Sequence, residues 1–175
     1  ASPVPTSIVK RRTEGVKAML LPRGHEPMDN SAYPWLLAGA KTLSYAVNMA
    51  VLRYVQERGA DDAIFITDER RVLEGATSSV LVAKIENGKK VLYTPEPSHG
   101  ILPGTTQGAV FEAARQAGWE LGFGPLYPQD LFESDGVWLA SSVRLIAPVT
   151  HLNGTALAHD PELTATLLNY LAQQS

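Results

Sequence analysis

The stretch Val72-Leu-Glu-Gly-Ala-Thr-Ser-Ser-Val-Leu-Val-Ala-Lys-Ile-Glu-Asn-Gly-Lys-Lys-Val-Leu-Tyr-Thr94 decides how the rest of the chain is read. Asn87-Gly88 is the pair that a two-residue hairpin turn demands, because both of its central residues take positive φ. The apolar runs 80–83 and 91–94 are the strands it joins. Residues 72–74 form a shorter strand, separated from the hairpin by the small residues Gly75 to Ser79. Working upstream, 63–67 reads as an apolar strand and 68–71 as a charged turn. Residues 44–58 read as a helix. Its apolar side chains, from Tyr45 to Val55, cover most of the circumference, which predicts a largely buried element. Gly59 follows where a C′ glycine belongs.

Working downstream, Thr105 or Thr106 is the expected N-cap of a helix that runs to Gln116, with Gly118 after its end. Residues 119–123 read as a strand and 128–132 as a helical turn. Strands follow at 137–140 and 146–149, then a turn at 151–154. Asp160-Pro161 opens a last helix, with Asp as N-cap and Pro at the first helical position. Leu163, Leu167, Leu168 and Leu171 line its inner face. At the other end, 16–21 is a short strand and 22–34 a loop rich in Pro, Gly, Asp and Asn. Residues 1–15, with Pro3, Pro5 and the basic cluster Lys10-Arg11-Arg12, read as a linker whose charges are solvated. Strands and helices mix without strict βαβ alternation. The expected class is α+β, with an irregular barrel-like sheet and helices outside it.

A chain of 175 residues, 45% hydrophobic and 19% charged, with net charge −3, has the size and balance of one ordinary globular domain. Its mild acidity argues against a general nucleic-acid binder. The absence of cysteine excludes disulfides, thiolate metal sites and cysteine nucleophiles, and fits a cytoplasmic location. No apolar run approaches the ~18 residues of a membrane span. His25, His99, His151 and His159 lie far apart, without metal-ligand spacing, so no metal site is expected. No GxGxxG, P-loop or GxSxG motif is present.

Four features carry candidate chemistry. Gly104-Thr105-Thr106 precedes a helix whose unpaired N–H groups and two hydroxyls suit a phosphate, or else form a plain N-cap. Ser141-Ser142 ends an apolar strand and offers two more hydroxyls. Lys41, between apolar segments, either snorkels to the surface or sits in a pocket. Burial there lowers a lysine pKa and makes the amine a nucleophile toward carbonyls. Glu74, at a strand end, suits a pyridinium nitrogen or is simply solvated.

Taken in order, these features resemble the class-IV aminotransferases and aminodeoxychorismate lyases. Ala40-Lys41-Thr-Leu-Ser-Tyr45 is similar to their lysine segment, and Val72-Leu-Glu74-Gly75-Ala-Thr-Ser-Ser79 to their strand-end "EG" segment. Gly100-Ile-Leu-Pro-Gly104-Thr-Thr106 is similar to their phosphate turn, and Val137-Trp-Leu-Ala-Ser141-Ser142 to their second phosphate contact. The resemblance spans about residues 35–150. It implies a fold-type IV enzyme dependent on pyridoxal 5′-phosphate (PLP), of the D-amino-acid aminotransferase-like fold. Lys41 would hold the cofactor and move the proton, Glu74 would pair with the pyridine nitrogen, and Tyr45 would lie near the phenolic oxygen. Thr105, Thr106, Ser141 and Ser142 would hold the phosphate, with Ser78 and Ser79 lining the cofactor. Arg144 is a candidate for a substrate carboxylate, or a surface arginine. Departures occur at Ser79, Thr105 and Gln107, where many relatives carry Asn, Ile and Arg.

The family also implies a smaller N-terminal domain that supplies a phosphate-binding arginine and much of the substrate pocket. On that reading, residues 1–34 are interdomain linker and lead-in strand, residues 35–175 are the PLP-binding C-terminal domain, and the isolated chain is poorly active. A homodimer acting on a small-molecule amino substrate, with no nucleic-acid or membrane partner, is implied too. The run from Lys41 to Arg53, with Arg144, resembles most the branch labelled aminodeoxychorismate lyase, which releases pyruvate and 4-aminobenzoate. An aminotransferase acting on D-amino or branched-chain amino acids is the alternative. A non-catalytic relative is the second, against which the pairing of Lys41 with Glu74 speaks.

Overall fold

The computed structural model describes residues 4–23, 45–96 and 101–173. Nine strands form one sheet: β1 (Val16–Pro22), β2 (Asp62–Ile66), β3 (Val72–Gly75), β4 (Ser79–Glu86), β5 (Lys89–Pro95), β6 (Glu120–Gly124), β7 (Gly136–Ser141), β8 (Leu145–Leu152) and β9 (Thr155–Ala156). Their order is β3-β2-β1-β8-β7-β4-β5-β6, with β9 beside β8. Five helices accompany them: α1 (Thr6–Glu14), α2 (Ala46–Gln56), α3 (Thr105–Gln116), α4 (Pro128–Phe132) and α5 (Pro161–Gln173).

Side-chain alternation along the strands builds two cores, one on each face of the sheet. Val80 and Val82 of β4, with Val137 and Leu139 of β7, point to one face and cluster there with Val16, Ile64, Val72 and Val149. Leu81 and Ala83, with Trp138 and Ala140, point to the other face and meet α3 and α5 through Val110, Phe111, Leu163 and Leu167. In the first cluster, Val72 of the edge strand β3 shares a core with Val80 and Val82 of β4, although four strands lie between β3 and β4 in the order. That contact requires the sheet to curl upon itself, which is the barrel-like α+β form expected. The second face is tied by a buried hydrogen bond in which Trp138 Nε1 donates to Thr164 Oγ1 at 2.9 Å.

The hairpin forms in the register that its two-residue turn dictates, Glu86 opposite Lys89, with Asn87 and Gly88 at φ 51° and 79°. Asp160 caps α5 by accepting the Glu162 N–H at 2.8 Å. Elsewhere the structure corrects the sequence reading. Residues 6–14, read without any regular element, form helix α1, whose Arg11 pairs with Asp61 at 3.3 Å. The strand after it lies deep in the sheet, parallel to both β2 and β8. Helix α2 is not largely buried. A helix resting on one sheet edge presents one stripe to it, here Val51, Leu52 and Val55, and Val47, Met49 and Tyr54 are exposed. The N-cap of α3 is Gly104 rather than either threonine. His151 and Leu152 continue β8, so the turn narrows to Asn153-Gly154 and leads into β9. The loop expected at 22–34 and the proposed boundary at residue 34 lie almost wholly outside the described residues. Among the described residues, no helix is long and apolar enough to cross a membrane.

Candidate functional site

Residues 101–106 run like a rail past three candidate segments in turn. The Leu102 N–H donates to Glu74 Oε2 at 3.3 Å. Gly104 then passes so close to β4 that a Cβ placed on it would lie 2.4 Å from Ser79 Oγ. Thr105 Oγ1 stands 3.5 Å from Ser142 Oγ. The sheet supplies the other side, because Ser79 at the start of β4 pairs with Ala140, next to Ser141 on β7. Glu74, Ser79, Thr105, Ser141 and Ser142 are thereby brought to one edge of the curled sheet.

Glu74 is largely shielded, with its side chain 17% exposed. Burial pushes its carboxyl above the usual carboxylate range, while Arg23 and the Leu102 N–H pull it back. The Arg23 pair is direct, Nη1 to Oε1 at 3.2 Å, and Arg23 also lies over the Phe65 ring at 5.7 Å. The result is a desolvated carboxylate held by one cation and one amide, with its pKa balanced between opposing effects. Arg23 follows β1 immediately and was not read as a site residue. An isolated Arg in a Pro-Arg-Gly context gives no local sign of a partner on another strand.

The hydroxyl end is different in character. Thr105 opens α3, a twelve-residue helix whose first N–H groups lack intrahelical partners. Thr106 and Gln107 are buried in its first turn, so Gln107 adds no charge there. Thr105 Oγ1 and Ser142 Oγ converge at 3.5 Å, the long end of a hydrogen bond, and Ser141 Oγ accepts the Arg144 N–H at 3.3 Å. Ser78 Oγ is buried and has no hydrogen-bond partner among the described residues. A buried orphan hydroxyl, a glycine cradle and two converging hydroxyls at a helix N-terminus fit a phosphate monoester with a ring lying toward Glu74.

Four further residues complete the account. Tyr45 stands at the start of α2, partly exposed. Asn48 of α2 donates its side-chain amide to the Ala76 carbonyl, tying that helix to the turn between β3 and β4. A polar side chain in an otherwise apolar helical run was the signal for it. Arg144 has its guanidinium engaged elsewhere, with Nη1 2.7 Å from Oδ2 of the fully buried Asp62 and its side chain only 11% exposed. The geometry gives this candidate for a substrate carboxylate an ion pair within the protein. Lys41 lies outside the described residues.

Comparison with known proteins agrees with this geometry. The family model for amino-transferase class IV matches residues 8–152. A bifunctional aminodeoxychorismate lyase / D-amino acid transaminase of Mycobacterium tuberculosis is 47% identical over 163 residues, covering 91% of this chain and 56% of that protein. The PLP-bound form of a hypothetical aminotransferase from Mycobacterium tuberculosis superposes with a TM-score of 0.91 at 45% identity, over 99% of this chain and 61% of that one. A fold IV-transaminase from Curtobacterium pusillum gives a TM-score of 0.87 at 40% identity, over 96% and 56%. The chain belongs to the class-IV aminotransferase family. It spans between half and two thirds of the length of these relatives.

Proposed function

We propose that the chain forms the cofactor-binding part of a PLP-dependent enzyme, and that its reaction is the aminodeoxychorismate lyase reaction. The observation that carries the cofactor assignment is the rail at 101–106. Its contacts with the carboxylate of Glu74 and the hydroxyl of Ser142 begin at Leu102 and Thr105, three residues apart. Three Cα steps span at most about 11 Å, a separation that supports one substituted pyridine reaching both an acid and a phosphate cup.

When bound, PLP supplies an electron sink for the bond broken at the amine-bearing carbon. The chain's residues do the rest. Glu74 pairs with the ring nitrogen, and Arg23 pulls against the burial that raises the Glu74 pKa. Thr105, Thr106, Ser141 and Ser142, with the first N–H groups of α3, bind the phosphate, and Ser78 and Ser79 line the cofactor. Lys41 anchors the cofactor and moves the proton at the amine-bearing carbon, and Tyr45 flanks the ring. D-amino acid transamination is the second reading, favoured by the relative of Mycobacterium tuberculosis, whose name joins both activities. Cofactor, acid and phosphate cup serve either outcome.

The test uses the intact protein with PLP. A visible absorption band is expected in the wild type and is expected to be lost in Lys41→Ala. Aminodeoxychorismate should then yield 4-aminobenzoate and pyruvate. Pyruvate and glutamate formed only from D-alanine and 2-oxoglutarate would replace the lyase by the transaminase. Identical bandless spectra for wild type and variant would overturn the PLP assignment.

A further inference from the structure

The turn 141–145 is held by parts of the molecule that lie far from it in sequence. Its Leu145 has φ 63°, a conformation that side chains with a Cβ seldom adopt and keep only where their surroundings impose it. Three sets of contacts impose it here. Ser141 Oγ accepts the Arg144 N–H at 3.3 Å. The Arg144 guanidinium reaches Asp62 at 2.7 Å. Arg12 of helix α1 donates from Nε to the Arg144 carbonyl at 2.9 Å and from Nη2 to the Val143 carbonyl at 3.2 Å.

The helix that carries Arg12 is itself fixed. Arg11 pairs with Asp61, whose other carboxylate oxygen accepts the Lys17 N–H at 2.9 Å. At the helix end, Gly15 sits against β8 with φ 78°. A Cβ there would lie 2.5 Å from Thr150 Cγ2 and 2.8 Å from the Pro148 carbonyl oxygen, so α1 closes onto the strand that continues the turn. Among the described residues, the hydrogen bonds of Arg12 go to the carbonyls of Val143 and Arg144 and not to a candidate cofactor residue. It fixes the backbone from which Ser142 projects toward Thr105.

We propose that Arg12 is a positioning residue for the phosphate cup, a clamp through which helix α1 sets the Ser142 hydroxyl where a phosphate is bound. The proposal rests on the phosphate reading given above. It makes α1 part of the binding machinery, although the helix lies outside it. Two charge-assisted hydrogen bonds to adjacent carbonyls hold a turn in one geometry, where a single bond leaves a pivot.

The test compares PLP with pyridoxal, which has the same ring and aldehyde but no phosphate. Apparent dissociation constants for both are measured by absorbance on the intact protein without bound cofactor, for wild type, Arg12→Ala, Arg12→Lys and Arg11→Ala. Wild type should prefer PLP strongly. Arg12→Ala should weaken PLP by about tenfold, the scale of a lost charged hydrogen bond, and leave pyridoxal unchanged. Arg12→Lys, which retains the charge but offers no planar fork, should restore part of the loss. Arg11→Ala, which loosens the helix that carries Arg12, should lower the ratio in the same sense but by less than Arg12→Ala. An equal loss for PLP and pyridoxal in Arg12→Ala would reduce Arg12 to a general prop and overturn the proposal, as would no loss at all. If wild type shows no preference for PLP over pyridoxal, the phosphate reading itself fails and the clamp falls with it.

Discussion

Two of the turns that join antiparallel neighbours in this sheet are built on opposite principles. The β4–β5 turn is written in its own two residues, since Asn87 and Gly88 accept positive φ readily and set the register of the strands beside them. The β7–β8 turn has no such code. Ser141-Ser142-Val143-Arg144-Leu145 contains no glycine, yet Leu145 is left-handed, held by Arg12 across 132 positions and Asp62 across 82. The first turn serves the fold. The second carries the hydroxyls of the candidate site. A turn made by its own residues is cheap to form, but its shape answers to nothing else. A turn imposed from outside is rigid in the geometry that its neighbours choose, and a binding site gains from that rigidity.

The largest expected effect comes from removing the outside support. Asp62→Ala leaves the guanidinium of Arg144 desolvated without its partner, and should lower unfolding free energy by about 3 kcal/mol in urea titration. A loss below about 1 kcal/mol would mean that the β7–β8 turn does not depend on its distant partner.

Glu74 follows the same rule of distant support, since its cation lies on β1's far end. Its folded pKa is raised by burial, so its contribution to stability is present below the ordinary carboxylate pKa and lost as pH rises through the folded value. Arg23→Met removes a lowering influence and raises that value further. The loss should therefore extend to higher pH in the variant without cofactor. Urea midpoints measured between about pH 4 and about pH 8 would show it, and superimposable profiles would deny the pair its role.

Smaller effects are expected where structure is local. Gly88→Ala puts a Cβ on a residue at φ 79° and should cost about 1 kcal/mol, with the ratio of PLP to pyridoxal affinity unchanged. A changed ratio would show that the two turns are not independent. Least of all should come from Glu112 on α3. Arg115 and Gln116 hold its carboxyl down to about 2, but the side chain is still 45% exposed. Its contribution is present above the ordinary carboxylate pKa and lost only as pH falls toward that value. At physiological salt, Glu112→Gln should leave the thermal midpoint at pH 7 within error. A resolved drop would raise local surface pairs to the rank of the buried one.

The same division explains what the sequence made legible. The hairpin, the Asp160-Pro161 helix start, the apolar strand runs and the order of the candidate segments all lie in short runs, and each was readable. Helix α1 was not, because Pro3, Pro5 and a basic run look like solvated linker until Arg11 and Arg12 find Asp61 and the turn at 143–144. Arg23 as the partner of Glu74 was hidden for the same reason, and so was the capture of Arg144 by Asp62. The burial of α2 was overstated, because apolar content fixes how much surface a helix could hide, while the sheet beneath fixes how much it does hide. Site residues were legible as residue types in order, but their partners were not.

The parallel pairing of β1 with β8 has a consequence in time. The register joins Val16 to Val149 and Ala18 to Leu152, so this part of the sheet cannot zip until nearly the whole described chain is available. Pairings of such sequence separation form slowly, because loop closure precedes any reward. The β4–β5 hairpin can form as soon as its residues are synthesised, whereas α1 and β1 must wait for β8 before Arg12 has a turn to hold. The phosphate cup is therefore among the last parts of the domain to acquire its shape, and a nascent chain holds a finished hairpin well before it holds a binding site.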